Sequence, residues 1–235
     1  MFLKLFLKFV FLSIFIFLPY LNTHAKISKS SIEELNRIYD EMKNQDDENT
    51  ILDLVREAIV TLGSPSDFEG SCLSDSLTQF VYLVEGRVTI LPRAEKGKTL
   101  LSIIGIMRRD FGKYNKGSLS FHPTQPERFE DLMLYNLEPL HLGLVSFNFS
   151  KKRNFNPKDL FKGNHFGHTF LTVKAEGQLW VIHNQDWITH NGAVQPYHEF
   201  VDNLMHYYVA SGGEVFAEYY IFDAPICTSI KCYSF

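Results

Sequence analysis

The stretch Gly163–Trp187, GNHFGHTFLTVKAEGQLWVIHNQDW, organises the rest of this chain. Two runs within it, Phe166–Val173 and Leu179–His183, are rich in β-branched, aromatic and other apolar residues, which predicts two β-strands. Between them lies Ala175–Gln178, whose central Glu-Gly pair is typical of a tight turn. The sequence therefore predicts a β-hairpin that begins near a histidine and ends at a group of polar side chains.

Side chains alternate between the two faces of a strand, so the first strand of the hairpin presents two different sets. One face carries His168, Phe170 and Thr172, and the other carries Thr169, Leu171 and Val173. The second strand leads to Asn184 and Asp186, which could orient a histidine that acts as a general base. Such a base needs a nucleophile, and Cys72 is the candidate.

The first 25 residues have the composition of a secretory signal peptide. Lys4 and Lys8 give a positive start, Phe9–Leu21 is almost continuously apolar, and Thr23-His24-Ala25 fits a cleavage site. An uncleaved membrane anchor is the alternative, for which the apolar run is short. We therefore expect a secreted or periplasmic protein, with no stable insertion in a membrane after cleavage.

Composition and charge narrow the function classes further. The chain has 235 residues, 45% hydrophobic and 21% charged, which is ordinary for a globular protein. Removal of residues 1–25 takes away two lysines and no acids, so the formal net charge changes from -4 to -6. After that segment the one basic block is Lys151-Lys152-Arg153. Nucleic-acid binding is therefore not expected.

Helical patterns dominate the first half of the chain and strand patterns the second. The predicted helices are Ser31–Met42, Thr50–Leu62, one opened by Cys72 and ended by Gly86, Thr99–Arg109, Phe129–Leu134 and Tyr197–Val209. Besides the hairpin, the predicted strands are Val88–Leu91, Leu140–Phe149 and Glu214–Phe222, with a loop over Gly112–Gln125. This segregation predicts an α+β fold with an antiparallel sheet. We expect a single domain over 26–235, with a helical part at 26–112 and a β-rich part at 113–235.

The three cysteines fall into two groups. Cys227 and Cys232 lie close together near the C-terminus, and export favours oxidation, so we expect them to form a disulfide. Cys72 is left in the first turn of a predicted helix, where backbone amides and the helix dipole favour an anion. The expected consequence is a lowered pKa of the Cys72 thiol.

Three short windows resemble the papain-like superfamily of cysteine peptidases and amidases. Gly70-Ser71-Cys72, with Ser76 after it, is similar to the nucleophile helix of that superfamily, and Asn184 with Trp187 resembles its asparagine and following tryptophan. His168 and Asn184 are 16 residues apart (184 minus 168), which is similar to the usual interval. The glutamine before the cysteine is absent, with Ser66 near its place, and the shorter cysteine-to-histidine interval resembles compact bacterial members.

The resemblance implies a nucleophile helix packed on an antiparallel sheet and a thiol hydrolase of amide or peptide bonds. It implies that Cys72 is the nucleophile, His168 the base, and Asn184 the group that orients the imidazole, with Asp186 as the other candidate for that role. No cofactor is implied. The substrate would be a protein, a peptide or a small amide, and an acyltransferase would use the same residues. The second oxyanion-hole donor and the oligomeric state stay open.

Two other readings compete with the thiol hydrolase. His165, His168 and His183, with Asp186 and His190 nearby, could form the site of a metal-dependent hydrolase, although residues three apart on a strand face opposite ways. The other alternative is a non-catalytic secreted domain that binds protein through its aromatic side chains.

Overall fold

The structure, a computed structural model, describes residues 27–63, 72–89, 109, 112–121, 126–150, 166–183, 193–209 and 214–229. The predicted signal peptide lies outside these ranges, as do Asn184, Asp186 and Cys232. Of the predicted helix Thr99–Arg109, only Arg109 is described, and it is helical. No helix within the described ranges has the length and apolar character needed to span a membrane.

Three helices precede every strand in the described part of the chain. They are α1 (Lys29–Met42), α2 (Glu48–Leu62) and α3 (Cys72–Glu85). The later elements are β1 (Asn115–Phe121), α4 (Pro126–Asn136), β2 (His141–Ser150), β3 (Phe166–Ala175), β4 (Gln178–Ile182), β5 (Val194–Pro196), α5 (Tyr197–Val209) and β6 (Glu214–Pro225). Helices followed by an antiparallel sheet make this an α+β fold, as predicted.

The six strands form one antiparallel sheet in the order β1-β6-β2-β3-β4-β5. The predicted hairpin is β3 and β4. Its turn residues Glu176 and Gly177 have φ values of 52° and 70°, and positive values at both central positions match the twist of a two-residue hairpin. The last strand, β6, lies between β1 and β2, so the end of the chain completes the sheet.

Helices cover the sheet on both faces, and β3 contributes to both cores. Leu171 and Val173 belong to the core formed with α1, α2 and α3. Phe170 belongs to a second core, formed with α4 and α5, that also contains Phe200. All four side chains are fully buried. Because both faces of β3 are covered, every side chain along its middle must enter one of the two cores.

The N-terminal caps differ from those predicted. Ser28 caps α1 by accepting a hydrogen bond from the Ser31 amide at 3.0 Å, so the capping box predicted at Ser31 is wrong. Asp47 caps α2 by accepting from the Thr50 amide at 2.7 Å, so Thr50 is the donor and not the cap. In both helices the residue predicted to be the cap instead donates its backbone amide to a polar side chain three residues before it.

The predicted glycine stops are present. Gly63 and Gly86 follow α2 and α3 with φ values of 68° and 67°, in the region that glycine adopts without strain. At Gly86 a Cβ atom would collide with the Tyr39 ring, so the close packing of α1 on the end of α3 also requires glycine.

Three short segments near the sheet differ from their predictions. Half of the predicted loop Gly112–Gln125, Asn115–Phe121, is β1, which is a strand because it pairs with β6. Val88 and Thr89, in the predicted strand Val88–Leu91, are not in a strand. The three-residue strand β5 pairs with β4 and was not predicted. Pairing with other strands explains β1 and β5, which local sequence patterns did not indicate.

Candidate active site

Cys72 is the first residue of α3, and this end of the helix is held against β3. Ser76, one turn further along the helix, donates its hydroxyl hydrogen to the Thr169 carbonyl oxygen at 3.0 Å. The backbone and the side chain of Thr169 also hydrogen-bond to the thiol of Cys72. Residues i and i+4 lie on the same face of a helix, so both contacts arise from one orientation of α3.

A small group of buried polar residues extends from the thiol into the sheet. Ser146 on β2 lies opposite Thr169 on β3, and their hydroxyl oxygens are 3.3 Å apart. Ser76, Ser146 and Thr169 are all buried, whereas Cys72 is partly exposed. We call Cys72, Ser76, Ser146 and Thr169 the thiol cluster. It places one sulfur atom and three hydroxyl groups at the junction of α3, β2 and β3.

The pKa of the Cys72 thiol is raised, contrary to the expectation from its helix position. Burial of the sulfur is the largest cause, and the nearby carboxylate of Asp75 acts in the same direction. Hydrogen bonds from Thr169 and the Leu73 backbone favour the thiolate but do not outweigh burial. Although Cys72 as a residue is partly exposed, its sulfur is largely withdrawn from water, so the thiol needs a base to remove its proton.

His168 lies on the other face of β3. Its ring centroid is 5.8 Å from that of Phe170, 5.9 Å from that of Phe200 and 5.3 Å from that of His183. Because Thr169 points towards α3, strand alternation directs His168 towards α5. The structure therefore brings Cys72 next to the residue that follows His168, while the imidazole itself packs against Phe200 of α5 on the opposite face of the strand.

His168, Phe170, His183 and Phe200, which we call the histidine cluster, form an aromatic layer against α5. Burial lowers the pKa of His168 well below its usual value, and the neighbouring His183 adds to this effect. Burial lowers the pKa of His183 to about 3. Both imidazoles are therefore neutral at pH 7, and in that form they suit the apolar surroundings.

The end of β4 sets the position of His183. Its backbone amide donates to the Ala193 carbonyl oxygen at 2.9 Å, next to the pairing of β4 with β5. Within the described ranges, its Nε2 atom has no hydrogen-bond partner. Asn184 and Asp186, the two candidates for orienting the base, follow directly but lie outside the described residues.

A metal site is not complete within the described part of the chain. No group of three or more His, Cys, Asp or Glu residues there could hold a metal ion. His168 and His183 are in contact, as the metal hypothesis requires, but His165, Asp186 and His190 lie outside the described residues. The pair supplies two neutral nitrogen ligands, whereas a catalytic zinc site ordinarily has three protein ligands.

The sequence pattern did not reveal Thr169 as a neighbour of the thiol, nor Ser146 as a neighbour of Thr169. The pattern also predicted that α3 is amphipathic, with one polar face. In the structure, five polar residues near the start of this helix are buried: Ser74, Asp75, Ser76, Thr78 and Gln79. A run of polar residues on a helix ordinarily indicates a solvated face. Only the packing of other elements around α3 shows that this face is enclosed.

The predicted cysteine pairing agrees with what is described of the tail. Cys227 is disulfide-bonded and Cys72 is not. Cys232, the expected partner, lies outside the described residues. The backbone amide of Cys227 donates to the Leu83 carbonyl oxygen at 3.1 Å, which attaches the tail to the end of α3.

Comparison with known proteins adds no assignment: no protein-family model matches this chain, and no significant match was found among curated proteins or solved structures.

Proposed function

We propose that this chain is an exported, papain-like thiol hydrolase that cleaves amide or peptide bonds through Cys72. The observation that carries the proposal is the docking of Cys72, the first residue of α3, on β3 directly beside the residue that follows His168. Cys72 and that residue, Thr169, are 97 residues apart in the sequence (169 minus 72). The next strand in the sheet, β4, leads towards Asn184 and Asp186.

In the proposed reaction, the Cys72 sulfur attacks the substrate carbonyl carbon while His168 takes the thiol proton. The imidazolium then protonates the amine as the carbon–nitrogen bond breaks, which leaves a thioester on Cys72. Water, deprotonated by the same imidazole, hydrolyses the thioester and restores the thiol. Asn184 or Asp186 orients the imidazole, and the Cys72 backbone amide stabilises the oxyanion.

This mechanism sets a structural condition at the start of β3. The His168 ring must reach the Cys72 side of the strand, and in the described register it faces α5. A one-residue change of register exchanges the two faces of a strand. A change of register confined to the residues before Thr169 would therefore bring the base to the thiol while Thr169 and α3 stay in place.

A second candidate function is a metal-dependent hydrolase built on the His165, His168 and His183 region. The observation in its favour is the contact between His168 and His183, with a distance of 5.3 Å between ring centroids. Both residues are buried and neutral, and neutral imidazole is the form that binds metal. The remaining ligands would have to come from residues such as Asp186 and His190.

One experiment separates the two candidates. The purified protein is assayed with casein and a mixture of fluorogenic peptide amides, with and without iodoacetamide, and separately with a chelator followed by zinc. Under the proposal, iodoacetamide labels Cys72 and abolishes hydrolysis, and the chelator has no effect. Loss of activity to the chelator with recovery on adding zinc would replace the proposal by the metal-dependent candidate.

The third reading, a non-catalytic domain that binds protein, gives a different result. Wild-type protein would then show no hydrolysis above that of Cys72→Ala with any of these substrates. Cys72→Ala is a suitable reference because it removes the sulfur and leaves a small side chain at the partly exposed start of α3. Equal rates for the two proteins would exclude the hydrolase for these substrates.

A further inference from the structure

We propose that Thr169 is a positioning residue that orients the Cys72 thiol and promotes its ionisation, an inference that rests on the proposed thiol hydrolase. The basis is the geometry of the thiol cluster, in which Thr169 connects α3 to β2. Its carbonyl oxygen accepts from Ser76 at 3.0 Å, and its hydroxyl lies 3.3 Å from that of Ser146. Its own contact with the thiol completes the connection.

Three features of the structure restrict the position of Thr169 and of its hydroxyl group. The β2–β3 register sets Ser146 opposite Thr169, and the Ser76 hydrogen bond prevents α3 from sliding along β3. A β-branched side chain also has few accessible rotamers. The position of Thr169 against the first turn of α3 is therefore set before any substrate arrives, which is how positioned groups stabilise a charge that forms during reaction.

The charges around the thiol explain why such a group matters. Burial and the Asp75 carboxylate on α3 both disfavour a thiolate at Cys72. On the sheet side, Thr169 and Ser146 are uncharged hydrogen-bonding groups, and the His168 ring faces α5. A hydrogen bond from Thr169 thus offsets part of the cost of forming the anion beside a buried strand.

The chain contains a matched control for this role. Thr172 is on the same strand and is fully buried, but it belongs to the opposite face. Within the described ranges its hydroxyl oxygen has no hydrogen-bond partner, so replacing it with valine removes no described contact. Thr169→Val and Thr172→Val make the same chemical change on the two faces of β3.

The experiment measures the rate of Cys72 alkylation by iodoacetamide between pH 6 and pH 11 in wild type, Thr169→Val, Thr169→Ser and Thr172→Val. Loss of a hydrogen bond to the thiolate should slow alkylation of Thr169→Val at pH 7 by about tenfold. The rate at the high-pH plateau, where every thiol is ionised, should stay unchanged. Thr169→Ser and Thr172→Val should both follow the wild-type profile.

Two outcomes would overturn the inference. One is a Thr169→Val profile that coincides with that of Thr172→Val. The other is a lowered plateau in Thr169→Val, because that would mean altered access to the sulfur and not altered acidity. If Thr169→Val does not fold, Ser146→Ala decides the question: the inference requires a smaller shift of the profile in the same direction, and an unchanged profile overturns it.

Alkylation does not depend on turnover, so this inference and the proposed function fail separately. A shifted profile in Thr169→Val, together with an absence of hydrolysis by wild type, would support the role of Thr169 at the thiol and reject the hydrolase. Hydrolysis that depends on Cys72, with no effect of Thr169→Val on the profile, would do the reverse.

Discussion

The two faces of β3 differ in chemistry although both are buried. On the α3 side, the thiol cluster consists of small polar groups linked by hydrogen bonds, with a partly exposed Cys72 at its edge. On the α5 side, the histidine cluster consists of aromatic rings whose imidazoles are neutral and enclosed. Adjacent residues, Thr169 and His168, belong to these different surroundings because a strand directs successive side chains to opposite faces.

The two faces show that residues adjacent in the sequence, such as His168 and Thr169, can place their side chains in different cores. A cysteine at a helix N-terminus and a histidine on the strand beside it satisfy a sequence pattern. Catalysis additionally requires the ring to face the sulfur within hydrogen-bond reach. Substitutions on each face of β3 can show whether the two clusters act together or separately.

The strongest test of the separation is His168→Ala. If His168 is the base for Cys72, turnover should fall by several orders of magnitude, as for residues that act as a unit. Alkylation of Cys72 at neutral pH should also slow. His198→Ala, a change at an exposed histidine of α5, is the control and should keep wild-type activity.

Unchanged alkylation in His168→Ala would mean that the histidine cluster is structural and that another group activates the thiol. The same assay then compares Asn184→Ala with Asp186→Ala. Each should reduce turnover less than His168→Ala does, because the imidazole would lose its orientation and keep its chemistry. Whichever change costs more identifies the residue that orients the base.

A second prediction uses pH to separate the clusters. The pKa of His183 is about 3 in the folded protein and about 6.5 when unfolded, so the unfolded state binds the proton more readily. The stability linked to His183 is therefore complete above about pH 6.5 and is lost as the pH falls towards 3. At pH 4.5 the loss amounts to roughly 2–3 kcal/mol.

The measurement is the unfolding free energy at pH 7.5 and pH 4.5 in wild type and His183→Leu. The variant should lose less stability on acidification, because leucine does not titrate. Phe170→Leu, in the same cluster, should be less stable at both pH values while keeping the wild-type difference between them. An equal acid-induced loss in wild type and His183→Leu would contradict burial of a neutral His183.

The smallest effect concerns the tail attached to α3. A short disulfide loop at Cys227 constrains the unfolded chain little, so its reduction should lower the unfolding free energy by at most about 2–3 kcal/mol. Titration of unreduced, unfolded protein should find one thiol, from Cys72. Three thiols would mean that the disulfide of Cys227 does not form.

The sequence determined the class of the fold and the position of several elements. The bounds predicted for α5, Tyr197–Val209, agree with the structure, because apolar spacing marks a helix that packs on one side. The glycine stops at Gly63 and Gly86 and the turn at Glu176-Gly177 were also predictable, since local backbone geometry decides them. Cys72 was placed correctly at the start of a helix for the same reason.

Which face of β3 meets α3 depends on packing between elements that are distant in the sequence. In a strand with one exposed face, polar and apolar residues alternate and reveal the buried side. Both faces of β3 are buried, and each carries a polar residue followed by an apolar one, as in His168 with Phe170 and Thr169 with Leu171. The local sequence pattern therefore does not indicate which of the two faces packs against α3. The register between β2 and β3 and the docking of α3 place Thr169 beside the thiol, and burial there raises the pKa of Cys72 despite its place at a helix N-terminus.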